Sequence, residues 1–135
     1  MSRGDRSDGP GPVFAPEPYR ANVARTCAAG VPGVYTAWAD SIAQFRIAQG
    51  IDAGVVTLTE TGATTTSIES WINTAYAGPT PPVAILLLGD YVSSGGTTGV
   101  TSPIWNGYCV SDNIYGDIDG DGLPEVVMAR MTANP

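Results

Sequence analysis

Asp117, Asp119, Asp121 and Glu125 crowd into one short stretch, Gly116-Asp-Ile-Asp-Gly-Asp-Gly-Leu-Pro-Glu-Val-Val-Met-Ala-Arg130. Gly120 and Gly122 loosen the backbone between and after the aspartates. Alternating carboxylates on a glycine-bent loop can point several oxygens at one spot. A hard cation such as calcium, which takes roughly six to eight oxygen ligands, is held that way. Without a cation the same loop keeps like charges close together at a cost. The spacing therefore predicts a calcium loop with Asp117, Asp119, Asp121 and Glu125 as ligands. The alternative is a solvated acidic turn between two strands, with no metal.

The pattern is not that of a helix-loop-helix calcium hand, which places a bidentate glutamate at loop position twelve. Counted from Asp117, that position is Met128, and Glu125 arrives three residues early. An apolar, strand-like run follows, where the hand would have a helix. Asp-x-Asp-Gly loops of this kind also occur in series in calcium-binding β-propeller blades, and this chain has a single copy.

Other reactive groups are few. There is no histidine, so no Ser-His or Cys-His catalytic pair can be built within the chain. No imidazole-bearing zinc site is possible, and two cysteines alone do not complete a structural one. Cys27 and Cys109 either pair in an oxidising compartment or, the commoner case, are two unrelated buried thiols. Asp90 follows an apolar run at a strand end, where open α/β sheets bind ligands. It is read equally well as a turn former.

Net charge is −7, with six arginines and no lysine. That argues against a nucleic-acid partner, which would need a basic face, and against an anionic membrane surface. The longest apolar run, residues 83–88, is far too short to span a bilayer. The first twelve residues lack the apolar centre of a secretory signal. If the protein is exported, its signal is not in this sequence. The length suits one domain or part of one.

The elements that must position these groups alternate. Residues 1–34 are read as a disordered or irregular segment rich in Gly, Pro and Arg. Its Arg3-Gly4-Asp5 triplet matches an adhesion tripeptide that also occurs by chance. Residues 19–33 show no clear period and no apolar strand. Tyr35 to Gln49 reads as a helix with Trp38, Ile42, Phe45 and Ala48 or Gln49 on one apolar stripe, stopped by Gly50. Ile51 to Thr59 reads as a strand. A second helix starts near residues 63–66 with a Thr66-Ser67-Ile68-Glu69 capping box and buries Ile68, Trp71, Ile72 and Ala75. Gly78-Pro79-Thr80-Pro81-Pro82 ends it. Val83 to Leu88 is the unbroken apolar run of a central parallel strand. Residues 91–103 read as a loop, 104–114 as short paired strands, and Val126 to Met128 as a short buried strand. The order implies an α/β fold: a mostly parallel sheet flanked by helices.

Several stretches resemble the gingipain-type cysteine peptidases, which have a caspase-like α/β fold. They are Trp38-Ala-Asp-Ser-Ile-Ala-Gln-Phe-Arg46 through Ile51, Val56-Thr-Leu-Thr-Glu60, and Val83-Ala-Ile-Leu-Leu-Leu-Gly-Asp90. The most specific are Ser111-Asp-Asn-Ile-Tyr-Gly116 and Leu123-Pro-Glu-Val-Val-Met-Ala-Arg-Met131. These two match the family's SD-x-x-Y and D-x-x-x-E-V-x-x-G/A-R segments in order and spacing. The resemblance covers residues 35–135. It implies the N-terminal part of a secreted cysteine endopeptidase domain, acting on protein or peptide substrates and often carrying structural calcium. The family's Cys and His lie further along its chain, so neither Cys27 nor Cys109 inherits the nucleophile role and this chain holds no catalytic residue. The family also has an apolar strand before the first helix, which residues 19–33 do not show. An incomplete domain with exposed sheet edges is therefore expected.

The sequence bears on two other functions. A non-enzymatic calcium-binding module of a surface or adhesion protein fits the acidic loop and composition. A phosphate or nucleotide binder has no support, because no Gly-x-Gly-x-x-Gly follows a strand and no Gly-Lys-Thr or Gly-Lys-Ser loop exists.

Overall fold

The run Val83–Leu88 lies where its composition requires, inside a parallel sheet. In the computed structural model, which describes residues 25–94 and 97–132, strand β3 spans Pro82–Leu88. It is flanked by β1 (Arg25–Val31) on one side and β8 (Val127–Met131) on the other, and β2 (Ala53–Thr57) lies beyond β1. All three pairings are parallel. Successive side chains of β3 serve two different cores, as the two-residue period of a strand demands. Ile85 and Leu87 join Ile68, Ile72, Tyr115 and Val126 on one face. Leu88, with Leu86 beside it, joins Val31, Tyr35 and Ala39 on the other.

Helix α1 (Thr36–Ala48) links β1 to β2, and α3 (Thr65–Tyr76) links β2 back across β1 to β3. The two crossovers run in opposite directions along the sheet, so right-handed connections put their helices on opposite faces. A one-turn helix, α2 (Leu58–Thr61), sits between β2 and α3.

Four expectations need correction. Residues 25–31 form β1, an interior strand hydrogen-bonded on both sides, although Arg-Thr-Cys-Ala-Ala-Gly-Val lacks the alternation or bulk of a recognisable strand. Backbone pairing with two neighbours overrides weak propensity there. The folded part therefore begins by Arg25, within the segment expected to be irregular. The tail and its Arg3-Gly4-Asp5 triplet lie outside the described residues.

The apolar stripe of α1 is also turned. Ala39 and Ala43 are buried, Ile42 is half-buried, and Trp38 and Phe45 are 71% and 62% exposed. Small residues at i and i+4 let the helix approach the sheet closely, and the large ones face out. Gly50 does end α1. It takes φ of 81°, while Gly50 and Ile51 donate to the Ile47 and Arg46 carbonyls, the paired bonds of a Schellman stop.

The cap of α3 lies two residues upstream of the expected one. Thr64 and Ser67 bond reciprocally, each main-chain N–H donating 3.1 Å to the other's hydroxyl. The Thr-x-x-Glu box exists elsewhere, as Thr57 and Glu60 capping α2. The buried face of α3 is as expected at Ile68 and Ile72, with Trp71 and Ala75 half-buried.

Finally, the last strand is not a buried one. Among the described residues β8 is the edge of the sheet. Val126 is buried just before it, but Val127 is 65% exposed, and Ala129 and Met131 are exposed. No helix among the described residues is long and apolar enough to cross a membrane.

Candidate metal centre and the Arg130 knot

Between β3 and β8 the chain makes a long excursion. It passes through β4 (Asp90–Tyr91), β5 (Gly99–Val100), β6 (Ile104–Trp105), β7 (Cys109–Val110) and the single turn α4 (Asn113–Gly116) before the acidic loop. β4 and β5 form a short parallel bridge, and β6 and β7 an antiparallel hairpin. The hairpin turns at Asn106 and Gly107, both with positive φ, the conformation a tight hairpin needs.

The acidic loop is closed at its base by Gly116, whose carbonyl accepts from Glu125 and Val126 N–H at 2.9 and 3.2 Å. Inside it, Asp117 accepts from Gly120 and Gly122 N–H, both at 3.0 Å. Asp119 accepts from Asp121 N–H at 3.1 Å, and Glu125 from Ile118 N–H at 2.7 Å. Gly120 and Gly122 have φ of 78° and 91°, a region that a side chain would resist. These turns bring carboxylate oxygens of Asp117, Asp119 and Glu125 within 4.8 Å of one another. Asp121 is not part of that group, and its carboxylate accepts from Leu123 N–H at 2.8 Å.

Oxygens so spaced fit around one calcium, whose ligands sit at roughly 2.3–2.6 Å from the ion. A carboxylate has about four lone-pair sites, so accepting a loop N–H leaves capacity for a cation. The donor set is all oxygen, which suits a hard cation.

A second constellation lies at the carboxyl end of β3, and its organisation was not legible in the sequence. Arg130 of β8 uses every N–H of its guanidinium. Nε donates to Asp112 Oδ2 and Nη2 to Asp112 Oδ1, both at 2.8 Å. Nη2 also donates to Ser102 Oγ at 2.8 Å, and Nη1 to the Gly89 and Val100 carbonyls at 2.9 and 3.2 Å. Ser102 donates its own hydroxyl hydrogen to Asp112. Burial pushes the Asp112 carboxyl up, but hydrogen bonds from Arg130 and Ser102 and the Arg130 charge outweigh it, so its pKa falls below the ordinary value. Below the knot, Tyr115 is fully buried and donates to the Thr101 carbonyl at 2.9 Å. Burial raises its pKa. Arg130 and Asp112 belong to the motif segments read from the sequence. Ser102 gave no signal there, because it lies in a stretch of ordinary loop composition.

Asp90 sits in β4, its main chain paired with Gly99. Cys109 is a free thiol on the hairpin and is exposed rather than buried, because the hairpin lies outside both cores.

No curated protein matches the chain. Solved gingipain structures share its fold. One is the Arg-specific cysteine proteinase gingipain R (RgpB), with 20% identity, a TM-score of 0.71, and coverage of 85% of this chain and 26% of that one. Another is the complex of the Porphyromonas gingivalis RgpB pro- and mature domains, with 21% identity, a TM-score of 0.70, and coverage of 82% and 25%. The chain thus spans about a quarter of the length of those chains. The model of peptidase family C25 matches residues 27–135, nearly all of the described fold. This chain belongs to peptidase family C25.

Proposed function

We propose that these residues form the N-terminal part of the catalytic domain of a secreted, gingipain-like cysteine endopeptidase. In this reading they build one side of the sheet and supply no reacting group. The observation that carries it is a pairing: family C25 membership across residues 27–135 in a sequence without histidine. A thiol nucleophile needs a base to activate it, and here Cys109 stands on an exposed two-stranded hairpin, outside the parallel sheet. Protein or peptide substrates follow from the family reading.

Calcium at Asp117, Asp119 and Glu125 is part of the same proposal. Its role is structural: it offsets the repulsion of three clustered carboxylates and fixes the entry into β8. The reading as a free-standing calcium module of an adhesin is not favoured, since the match to a peptidase family extends over nearly the whole fold.

The test compares two proteins. A longer polypeptide that carries this segment and continues past Pro135 should cleave peptides and be silenced by thiol alkylation. The 135-residue chain should not cleave. Hydrolysis by the short chain, or a longer protein indifferent to alkylation, refutes the proposal.

A further inference from the structure

Residues 104–110 are all exposed, whereas Thr101 and Ser102 before them and Tyr115 after them are buried. Tyr108 is 90% exposed, and Ile104, Trp105 and Val110 also face outward. The β6–β7 hairpin therefore adds nothing to either core. What fixes it is its neck. Ser111 N–H donates to the Pro103 carbonyl at 2.9 Å, and one step further in Ser102 bonds to Asp112. Both of these innermost neck residues are held by the same guanidinium, Arg130. The knot sits just past the carboxyl end of β3, because Arg130 also holds the Gly89 carbonyl.

We infer that residues 103–111 form a stiff arm whose placement at the carboxyl end of the sheet is set by the Arg130–Asp112–Ser102 knot. Its own two-residue ladder and turn keep it in one piece. Among the described residues no side chain of 104–110 is buried, and Trp105 and Cys109 only line a shallow concavity with Asn113, Asp117 and Gly122. The hydrogen-bonded neck is thus the firmest attachment, since local stability follows buried apolar contact. The knot is therefore a pivot. Intact, it holds the arm in one place. Opened, it frees the arm while the cores on either side of the sheet stay packed. The carboxyl ends of parallel strands are where such sheets take ligands, so an arm rooted there is a movable wall for that region. The inference stands on geometry and is independent of the peptidase reading.

The test measures distances between two nitroxides, one on Cys109 and one on a cysteine replacing exposed Gln44 of α1, with Cys27→Ala removing the other thiol. The expected result is a single narrow distribution that broadens at least about twofold in Arg130→Gln, with the circular dichroism of the sheet and helices retained. Ser102→Ala, which leaves the Arg130–Asp112 pair in place, should broaden it less and covers the case in which Arg130→Gln does not fold. A distribution already broad in the parent protein overturns the inference. So does an unchanged width in both variants, or a broadening accompanied by loss of the folded signal in both.

Discussion

Asp112 holds Arg130 by two parallel bonds of 2.8 Å across 18 residues of sequence. Their side chains are only 20% and 13% exposed. Such a fork is stronger than a single charged contact because both groups are planar and pre-aligned. Removing one partner strands the other in a poorly hydrated place. Arg130→Gln or Asp112→Asn should cost about 2–3 kcal/mol, less than the 3–5 of a fully buried pair because water still reaches both side chains. Urea denaturation reads the loss. The double variant should cost much less than the sum of the singles.

Acid should expose the same pair. The folded pKa of Asp112 lies below its ordinary value, so the unfolded chain takes up the proton first as pH falls. The stability contributed is full above the unfolded pKa and is lost as pH drops through the folded one. Asp112→Asn should be less stable at neutral pH and show a flatter acid limb. An acid limb unchanged in that variant would show that other carboxylates dominate.

Tyr115 works in the opposite direction. Burial raises its pKa, so the unfolded chain ionises first as pH rises. Its contribution is present below the ordinary phenol pKa, about 10, and is lost as pH climbs through the raised folded value. Tyr115→Phe should remove that alkaline dependence. It should also cost about 1 kcal/mol at neutral pH, through the bond given up by the Thr101 carbonyl. Equilibrium unfolding between pH 8 and 11 checks both parts.

Sequence reading found the central strand, both long helices and the tight acidic loop, because each is a local pattern. A run of bulky residues needs two covered faces. A glycine after a helical period needs a left-handed stop. Alternating Asp and Gly need a tight loop. What it missed depends on neighbours distant in the chain. β1 is a strand because β2 and β3 flank it, not because Thr-Cys-Ala-Ala-Gly prefers that shape. Trp38 looks like a core residue until α1 docks on Ala39 and Ala43. The knot joins residues 89, 100, 102, 112 and 130, and only the finished fold brings them together.

Calcium should stabilise the protein, and the effect should depend on Asp119. At an ion concentration of about 100 times Kd, binding to the folded state alone adds about 2.7 kcal/mol. Thermal unfolding with calcium or with a chelator measures it. Asp119→Ala should abolish the difference, and Asp121→Asn should reduce it far less, since Asp121 stands outside the converging group. A melting temperature indifferent to calcium would remove the metal from the account while leaving family membership untouched.

The loop's closure makes its own demand on one glycine. A Cβ on Gly116 would overlap the Val126 carbonyl oxygen and press on Met128 and Pro124. The first of these is backbone, fixed at the mouth of β8 by the bonds that Gly116 itself accepts. It cannot swing aside as a side chain could. Gly116→Ala should therefore cost about 1–3 kcal/mol by overpacking, although alanine is the better helix former and Gly116 ends a helical turn. A contrasting change, Gly33→Ala, places its methyl in open space and should shift stability by no more than about 0.5 kcal/mol. If Gly116→Ala were as stable as the parent protein, the tight base of the acidic loop would be wrong. The approach of α4 to β8 that positions Asp112 for Arg130 would then need redrawing.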